Sequence, residues 1–417
     1  MISKYLFPKN VKRSQAWFLI TFFFFQFSFY GCMIFHITVF KYLKYIVDAY
    51  FAIYFLICAL QCHFKSSCFL EKMVITMYFV IFIGLFVGIL DGQYIAYALK
   101  GASTGYLLWG VYFYLKRNNV PEDYVMNIVK YFIIGTFFIT LICYIQFPNC
   151  WFGLSNDDSA EGLRNGLEKR GTLRFDIPGK FLVSLLIFYL LQSFEFTKKK
   201  IIQLSICFIF LLLTGHRFPM AACMALCVVM ILLSTAIKFK TKFQLLLIVT
   251  VICSLIFVIP ATRNIIDKLT NLTEEGGADG IGEDNIRLRA ATYYFYEFNN
   301  PNDYYHKIFG NGIYFPNSGE YSKKIDFLHE CHFWEIDVEY CQFYIYFGLL
   351  GLLVLSLWYI SSMFINVPKQ YAYVKYFFSY IIIAMIAGGY WVGHLSIISM
   401  LSYFLVKKRR IKQLAKI

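Results

Sequence analysis

Long apolar runs, separated by short polar segments, dominate the chain. Twelve of them are apolar enough, and near enough to the roughly 20 residues that a bilayer requires, to be predicted as membrane-spanning helices. In chain order they are Trp17–Phe40, Tyr45–Cys62, Met73–Leu90, Ala96–Leu115, Met126–Phe147, Pro178–Phe194, Ile201–Thr214, Pro219–Ile237, Phe243–Ile259, Cys341–Phe364, Tyr376–Gly389 and Gly393–Val406. Barrel strands would alternate polar and apolar residues, so continuous runs predict an all-α integral membrane protein.

The composition supports this prediction. Of the 417 residues 59% are apolar and 15% are charged, and the mean hydropathy is +0.58. A soluble enzyme would have to bury too much apolar surface, and a disordered chain would be far more polar. We therefore treat the whole chain as a single polytopic membrane domain.

The net charge of +14 is distributed unevenly between the two predicted faces. With the N-terminus in the cytoplasm, the cytoplasmic segments hold 22 of the 39 Lys and Arg residues, and 20 of the 25 Asp and Glu residues fall outside. The positive-inside rule then places both termini in the cytoplasm. The basicity is explained by this topology, so it does not indicate a nucleic-acid partner.

Two long segments lie on the predicted periplasmic face, residues 148–177 and residues 260–340. Loops of this length are usually functional. The cytoplasmic loops contain no phosphate-binding glycine motif, and no spacing of Cys and His predicts a metal site or another cofactor. Cys150 and Cys331 are both predicted outside, where they either pair or remain free thiols.

Arginines stand out on the acidic outer face, and their planar forks suit a phosphate group. Arg170 and Arg174 precede the sixth span, Arg217 lies in a tight hairpin, and Arg287 and Arg289 belong to a short predicted helix. Pro219 is predicted to begin the helix after the hairpin. Contacts with lipid headgroups, or with a loop carboxylate in the case of Arg217, are the alternative explanation for these arginines.

Candidate general bases lie at the end of the large loop. His329 and His332 precede Asp337 and Glu339, and the tenth span follows. Asp337 fits the role of a base best, because it is predicted at a helix start, where a carboxylate is favoured; the same position also suits a simple helix cap. For each histidine alone, a solvated loop residue is the favoured explanation. Aromatic loop residues such as Tyr294, Tyr296, Tyr304 and Trp334 suit either sugar stacking or the membrane interface.

The order of these features resembles a known superfamily. An outer-loop Arg precedes a span, Thr214-Gly215-His216-Arg217 forms a hairpin, and a large outer loop carries Arg287-Leu288-Arg289 and Phe309-Gly310-Asn311-Gly312. Asp337-Val338-Glu339-Tyr340 and Gly348-Leu349-Leu350-Gly351 follow. This arrangement is similar to the Wzy-type O-antigen and capsule polymerases and the O-antigen ligases. Asp337 and Val338 stand where ligases usually carry His-Asn, which favours a polymerase.

The resemblance implies a membrane glycosyltransferase of the bacterial inner membrane, of GT-C-type architecture, with the large periplasmic loop between spans 9 and 10. It also implies an undecaprenyl-diphosphate-linked oligosaccharide donor, no metal or nucleotide, and a separate chain-length regulator as partner. Arg217 would match the family's hairpin Arg, and Arg287 or Arg289 the Arg of its large loop. Arginines would stabilise the leaving diphosphate and a base would accept the proton of the acceptor hydroxyl.

The leading hypothesis is therefore a repeat-unit polymerase of O-antigen or capsule, which inverts the anomeric configuration by one direct displacement. Arg217 and Arg287 or Arg289 would hold the diphosphate, helped by Arg170 or Arg174. An O-antigen ligase that transfers glycan to lipid A core is the nearest alternative. A lipid-linked glycan flippase or transporter is the alternative from another class, although few ionisable residues lie within the spans.

Overall fold

A computed structural model describes residues 11–27, 38–147, 177, 179–192, 197–214, 216–233, 239–244, 247, 286–388 and 390–414. Within these residues the chain is helical and contains no strand. An isolated bridge joins Gln93 and Gly319. The prediction of an all-α chain is confirmed for this part of the molecule.

The α-helices are labelled here in chain order. They are α1 (Arg13–Gln26), α2 (Thr38–Gln61), α3 (Phe69–Leu90), α4 (Ile95–Ser103), α5 (Val111–Asn118), α6 (Glu122–Gln146), α7 (Val183–Gln192), α8 (Lys198–Leu213), α9 (Arg217–Leu233), α10 (Ile286–Thr292), α11 (Tyr304–Phe309), α12 (Glu320–Glu330), α13 (Glu339–Phe364), α14 (Ala372–Ala384) and α15 (Tyr390–Leu414). Short 3-10 turns cover Tyr106–Gly110, Lys180–Leu182, Glu335–Asp337, Lys369–Tyr371 and Met385–Ala387, and a π-turn covers Tyr293–Glu297.

Five helical segments of the described part are long and apolar enough to cross a membrane. They are Tyr42–Gln61, Phe69–Leu90, Glu122–Gln146, Glu339–Phe364 and Lys369–Ala387. Each overlaps one of the predicted spans, so the transmembrane character is confirmed. The helices Lys180–Gln192 and Phe218–Leu233 are apolar but shorter. The predicted ninth span, Phe243–Ile259, lies almost entirely outside the described residues.

The chain divides into two compact units. The first comprises residues 1–41, 123–282 and 369–383, and the second comprises residues 42–122, 283–368 and 384–417. In the first unit α7 is buried on nearly every side, as expected for a helix inside a bundle. It packs against α8 and α9, and the ring of Phe188 lies 6.2 Å from that of Tyr376 beside α14.

Three tryptophans form the centre of the second unit. The rings of Trp358 and Trp391 lie 4.7 Å apart, and Trp109 stacks on Trp391 at 5.6 Å. All three are fully buried. Their polar atoms are partly paired, since the indole of Trp109 donates to the Val74 carbonyl at 2.9 Å and that of Trp358 donates to Ser402 at 3.1 Å. This apolar centre joins α3, α13 and α15 around the 3-10 turn that carries Trp109.

Polar contacts in the second unit collect at its two ends. At one end Lys116 pairs with the buried Glu71 at 2.7 Å, and Lys408 pairs with Glu122 at 3.3 Å. At the other end the Gln93 side chain donates to the Ile313 carbonyl at 2.9 Å. Each of these contacts joins segments that the predicted topology assigns to the same face.

The predicted fourth span, Ala96–Leu115, is divided into α4 and α5 by the 3-10 turn Tyr106–Gly110. The division follows Gly105, whose backbone angles, φ −146° and ψ −73°, are not helical. At the end of the turn, a Cβ at Gly110 would lie 2.8 Å from Phe55 and 2.9 Å from the Tyr78 hydroxyl. The glycine therefore allows the main chain to approach these rings closely. Apolarity alone does not distinguish this broken segment from a continuous helix.

Helix α13 is also interrupted, at Gly348, where φ is +62° and ψ is −162°. The loop Phe309–Gly312 fits against this break. A Cβ at Gly348 would lie 2.3 Å from the Ile308 carbonyl oxygen, and one at Gly312 would lie 2.3 Å from the Cα of Gly88 in α3. The amide of Asn311 donates to the Ile345 carbonyl at 2.6 Å. The loop thus supplies a hydrogen-bond donor to the interrupted helix.

Candidate functional site

The outer segment of the second unit, residues 286–338, is held to the turn between α3 and α4. Gln93 is buried and also donates to Ser318 at 3.2 Å, and the Tyr94 amide donates to the Ser318 carbonyl at 3.0 Å. Next to this contact, His306 lies between two carboxylates. Its Nδ1 is 2.5 Å from Asp303 and its Nε2 is 2.9 Å from Asp91.

The two carboxylates around His306 have opposite pKa shifts. Burial raises the pKa of Asp91 above its ordinary value, although His306 opposes part of the increase. Burial also raises the pKa of Asp303, but hydrogen bonds from His306 outweigh this effect, so its pKa lies below the ordinary value. Asp91 connects the α3–α4 turn to the large loop through His306, and Asp303 holds the imidazole from within the loop. A role in holding the loop in place accounts for them.

A buried carboxylate forms the centre of the candidate site. One oxygen of Glu335 lies 2.5 Å from His329 Nε2, and the other accepts a hydrogen bond from the Tyr346 hydroxyl at 2.9 Å. The Glu335 side chain is only 5% exposed and that of His329 is 14% exposed. A carboxylate at Nε2 favours the tautomer that carries the proton there, which leaves Nδ1 as the basic nitrogen. The pair thus has the geometry of an oriented general base.

Two aromatic rings fix the His329 imidazole. The indole of Trp334 stacks on it at 4.2 Å, and the Tyr314 ring meets it edge-on at 5.2 Å. Tyr314 donates to Asp326 at 2.5 Å. Burial and then this hydrogen bond raise the pKa of Tyr314 well above its ordinary value, so the hydroxyl remains protonated. Trp334 itself is 42% exposed, which leaves part of its surface available for a sugar ring.

Helix α10, which carries the loop arginines, packs against the turn that holds Glu335. The buried Tyr294 donates to the Phe333 carbonyl at 2.7 Å, and α10 packs against the 3-10 turn Glu335–Asp337. The Arg289 guanidinium carbon lies 6.0 Å from the centre of the Phe333 ring. Arg289 is exposed and Arg287 is half-buried, as expected for residues two positions apart on a helix.

Asp337 and Glu339 occupy different environments. Asp337 is half-buried in the 3-10 turn, and the helix-capping position is occupied by Val338. The explanation of Asp337 as the N-cap is therefore wrong by one residue. Glu339 is fully buried, and its carboxylate accepts a hydrogen bond from the Trp391 amide at 2.7 Å. This contact gives Glu339 a structural role between α13 and α15.

His332 reverses the chain after α12. Its φ is +60°, and the Phe333 amide donates to the Leu328 carbonyl at 2.8 Å while the His332 amide donates to the His329 carbonyl at 3.0 Å. This pair of bonds defines a Schellman motif, in which the left-handed position is usually occupied by glycine. The turn directs residues 333–335 back towards α12, and this brings Glu335 next to His329.

We expect the substitution His332→Gly either to leave the free energy of unfolding unchanged or to increase it by up to about 1 kcal/mol. Glycine adopts a positive φ without the steric penalty that other residues have. Thermal unfolding of the purified protein measures this effect. If His332 is only a turn residue, the variant also keeps full activity in cells. Loss of activity without loss of stability would assign a chemical role to the imidazole.

Several predicted residues cannot be placed. Arg170, Arg174 and Cys150 lie outside the described residues. The main chain of Arg217 is described, but its side chain is not. Helix α9 begins at Arg217, so the prediction that Pro219 begins it is wrong by two residues; proline is tolerated throughout a first helical turn. Arg217 belongs to the first unit, whereas His329, Glu335 and helix α10 belong to the second.

The structure also describes Cys331 and three of the aromatic loop residues. Cys331 is an exposed free thiol. Tyr294 is buried by its own loop and is not available for sugar stacking, whereas Tyr296 and Tyr304 are exposed. Among the described residues, no group of three or more His, Cys, Asp or Glu side chains has an arrangement that would hold a metal ion.

Sequence analysis did not single out Glu335, Tyr346, His306 or Asp91. Glu335 carried a weak signal, since it begins a run of alternating acidic residues before the tenth span. Tyr346 reads as one of many aromatics in an apolar run. Asp91 and His306 are far apart in the chain, and only a shared predicted face connects them.

Comparison with known proteins adds no family assignment: no protein-family model matches the chain, and no curated protein matches it at a significant level.

Proposed function

We propose that the protein is a membrane glycosyltransferase that polymerises lipid-linked repeat units of O-antigen or capsule. The observation that carries the proposal is the pair of His329 and the buried Glu335, placed beside the arginine-bearing helix α10. Transfer of a glycan from a lipid diphosphate needs these two elements, a base for the acceptor and positive charge for the leaving group. The overall GT-C-type architecture and the undecaprenyl-diphosphate donor are part of the same proposal.

In this mechanism an acceptor hydroxyl attacks the anomeric carbon of the donor sugar. The new C–O bond forms as the bond to the diphosphate oxygen breaks, so the anomeric configuration inverts. His329 Nδ1 takes the hydroxyl proton, and Glu335 stabilises the imidazolium that results. Arg287 or Arg289 of α10 stabilises the charge on the departing lipid diphosphate, and the sequence resemblance assigns the same task to Arg217, with help from Arg170 or Arg174.

The choice of base differs from the one that the sequence favoured. From the sequence alone, Asp337 is the preferred base. Glu339, His329 and His332 are the reserve candidates. The contacts of Glu339 and the turn geometry of His332 give both residues structural explanations. His329 has an orienting partner and a free ring nitrogen for proton transfer. We therefore rank His329 first and retain Asp337 as the second candidate.

A transporter of lipid-linked glycans is the second candidate function. The interruption of α13 at Gly348 favours it, because transporters often bind substrate at broken helices. Here, however, the main chain of residues 308–312 fills the space beside the break. That packing leaves less reason to place a substrate there.

Deletion of the gene in its own host tests the proposal, with reintroduction of the wild-type gene as control. A polymerase deletion leaves single-repeat lipopolysaccharide or free single repeat units. A ligase deletion leaves bare lipid A core, and a transporter deletion leaves repeat units on the cytoplasmic side. Either of the last two outcomes would overturn the proposal. The substitution Arg217→Ala, at normal protein levels, is expected to remove the polymer ladder.

A further inference from the structure

Two adjoining cavities lie in the first unit, the larger between α6, α7 and α8 and the smaller between α6 and α7. The larger has a volume of about 180 Å³ and an almost wholly apolar lining, which includes Ile134, Leu190 and Phe210. The smaller, of about 60 Å³, is half polar and includes Asn127 and Tyr189. Lys130, Ile133 and Leu186 line both cavities, so the two share one wall.

Lys130 is the charged residue at the junction. It lies on a segment long and apolar enough to cross the membrane, about 12 Å along the axis from Glu122. Its side chain is half-buried and makes no salt bridge or hydrogen bond with the described part of the protein. A lysine at this depth is costly unless it finds an anion or reaches the membrane surface. The adjacent polar cavity offers room for such an anion.

The cavities also have a consistent direction. The residues of the polar cavity on α6, such as Met126 and Asn127, lie towards the Glu122 end, and the apolar cavity continues towards Phe138. The predicted topology assigns the Glu122 end to the cytoplasmic face. The arrangement therefore fits a molecule with an anionic head near the cytoplasmic leaflet and an apolar chain that extends into the membrane.

We propose that these joined cavities bind one anionic phospholipid of the cytoplasmic leaflet. Its phosphate would meet Lys130, Asn127 and the Tyr189 hydroxyl, and one acyl chain would occupy the apolar cavity. Because three helices line the cavity, the bound lipid would stabilise their packing. This ligand is distinct from the lipid-linked donor, whose chemistry we place on the opposite face. The proposal does not depend on the proposed function.

Native mass spectrometry of the purified full-length protein tests the headgroup contact. The probe is an equimolar mixture of phosphatidylglycerol and phosphatidylcholine with identical acyl chains. We expect the wild type to retain phosphatidylglycerol about fivefold more, in line with one lysine near an anionic headgroup. The substitution Lys130→Gln should remove this preference. The matched control Lys72→Gln, at an exposed lysine on the same predicted face, should keep it.

A second variant tests the chain contact and does not alter Lys130. The substitution Ile206→Trp adds bulk to the wall of the apolar cavity. It should reduce retention of long-chain phosphatidylglycerol but not of the dihexanoyl form. Equal retention of both headgroups by the wild type, or equal effects of the Lys130 and Lys72 variants, would overturn the proposal. It would also be overturned if undecaprenyl phosphate displaced phosphatidylglycerol at equal concentration, because the site would then belong to the carrier lipid.

Discussion

The substitution Gly348→Ala is expected to destabilise the protein by at least about 3 kcal/mol, enough to remove most folded protein from the membrane. The backbone at Gly348 adopts φ +62° and ψ −162°, a region that is nearly restricted to glycine. An added Cβ would also lie 2.3 Å from the Ile308 carbonyl oxygen and 2.6 Å from the Gly310 amide nitrogen. Both are main-chain atoms, so rotation of a side chain cannot relieve the overlap.

The smallest rearrangement that removes this overlap is for α13 to become a continuous helix and displace the loop Phe309–Gly312. That change would remove the hydrogen bond from the Asn311 amide to the Ile345 carbonyl. It would also separate the loop from the glycines of α3. We therefore expect loss of the outer segment's arrangement together with loss of stability.

Gly393→Ala provides the matched control. Gly393 lies in α15, and a Cβ there would have no neighbour within 4 Å. Alanine is the better helix former, so the free energy of unfolding of this variant should equal that of the wild type or exceed it by up to about 1 kcal/mol. Fluorescence-detected size-exclusion chromatography measures the yield and the thermal unfolding of both variants. A Gly348→Ala protein as stable as the control would contradict the described break.

The second large effect is expected at His329. The substitution His329→Gln should reduce polymerisation by about 10²–10⁴-fold, the usual contribution of a general base. Glutamine keeps a polar group near Glu335 but cannot take up a proton at this position. Glu335→Gln should also reduce activity strongly, because a neutral amide orients the imidazole less well and does not stabilise the imidazolium. The amide oxygen of the new glutamine can still accept the hydrogen bond from Tyr346.

The substitution Asp337→Asn separates the two base assignments. With His329 as the base, this variant should retain most of the activity and His329→Gln should not. The reverse pattern would return the role to Asp337. Polymer ladders from complemented deletion strains, at matched protein levels, give the readout. Thermal unfolding of the same purified variants shows whether any loss of activity follows from unfolding.

Some of the architecture was accessible from the sequence because it depends on local properties. The apolar runs predicted helices, and α3, α6 and α13 appear where they were expected, within a few residues. The charge distribution grouped the segments of each face, and the pairing of Lys116 with Glu71 agrees with that grouping. The break between α4 and α5 was not predicted, although Ser103, Thr104 and Gly105 are weak helix formers, because the segment as a whole is apolar enough to be taken for one span.

The candidate site was accessible only in part. The sequence pointed to the correct stretch, residues 329–339, because histidines and carboxylates stand out at the edge of an apolar run. It did not identify Glu335 as the partner of His329. Their contact depends on the left-handed turn at His332, and a positive φ at a non-glycine residue leaves little trace in a sequence.

Apolar length and charge count follow directly from the residues, so they are enough to identify a helical membrane protein with a large polar segment. Which polar groups meet inside that segment depends on the fold. Contacts such as Glu335 with Tyr346, or His306 with Asp91, join parts of the chain that no local periodicity relates. In the same region, the glycines at positions 88, 312 and 348 let three main-chain segments approach more closely than any side chain would permit.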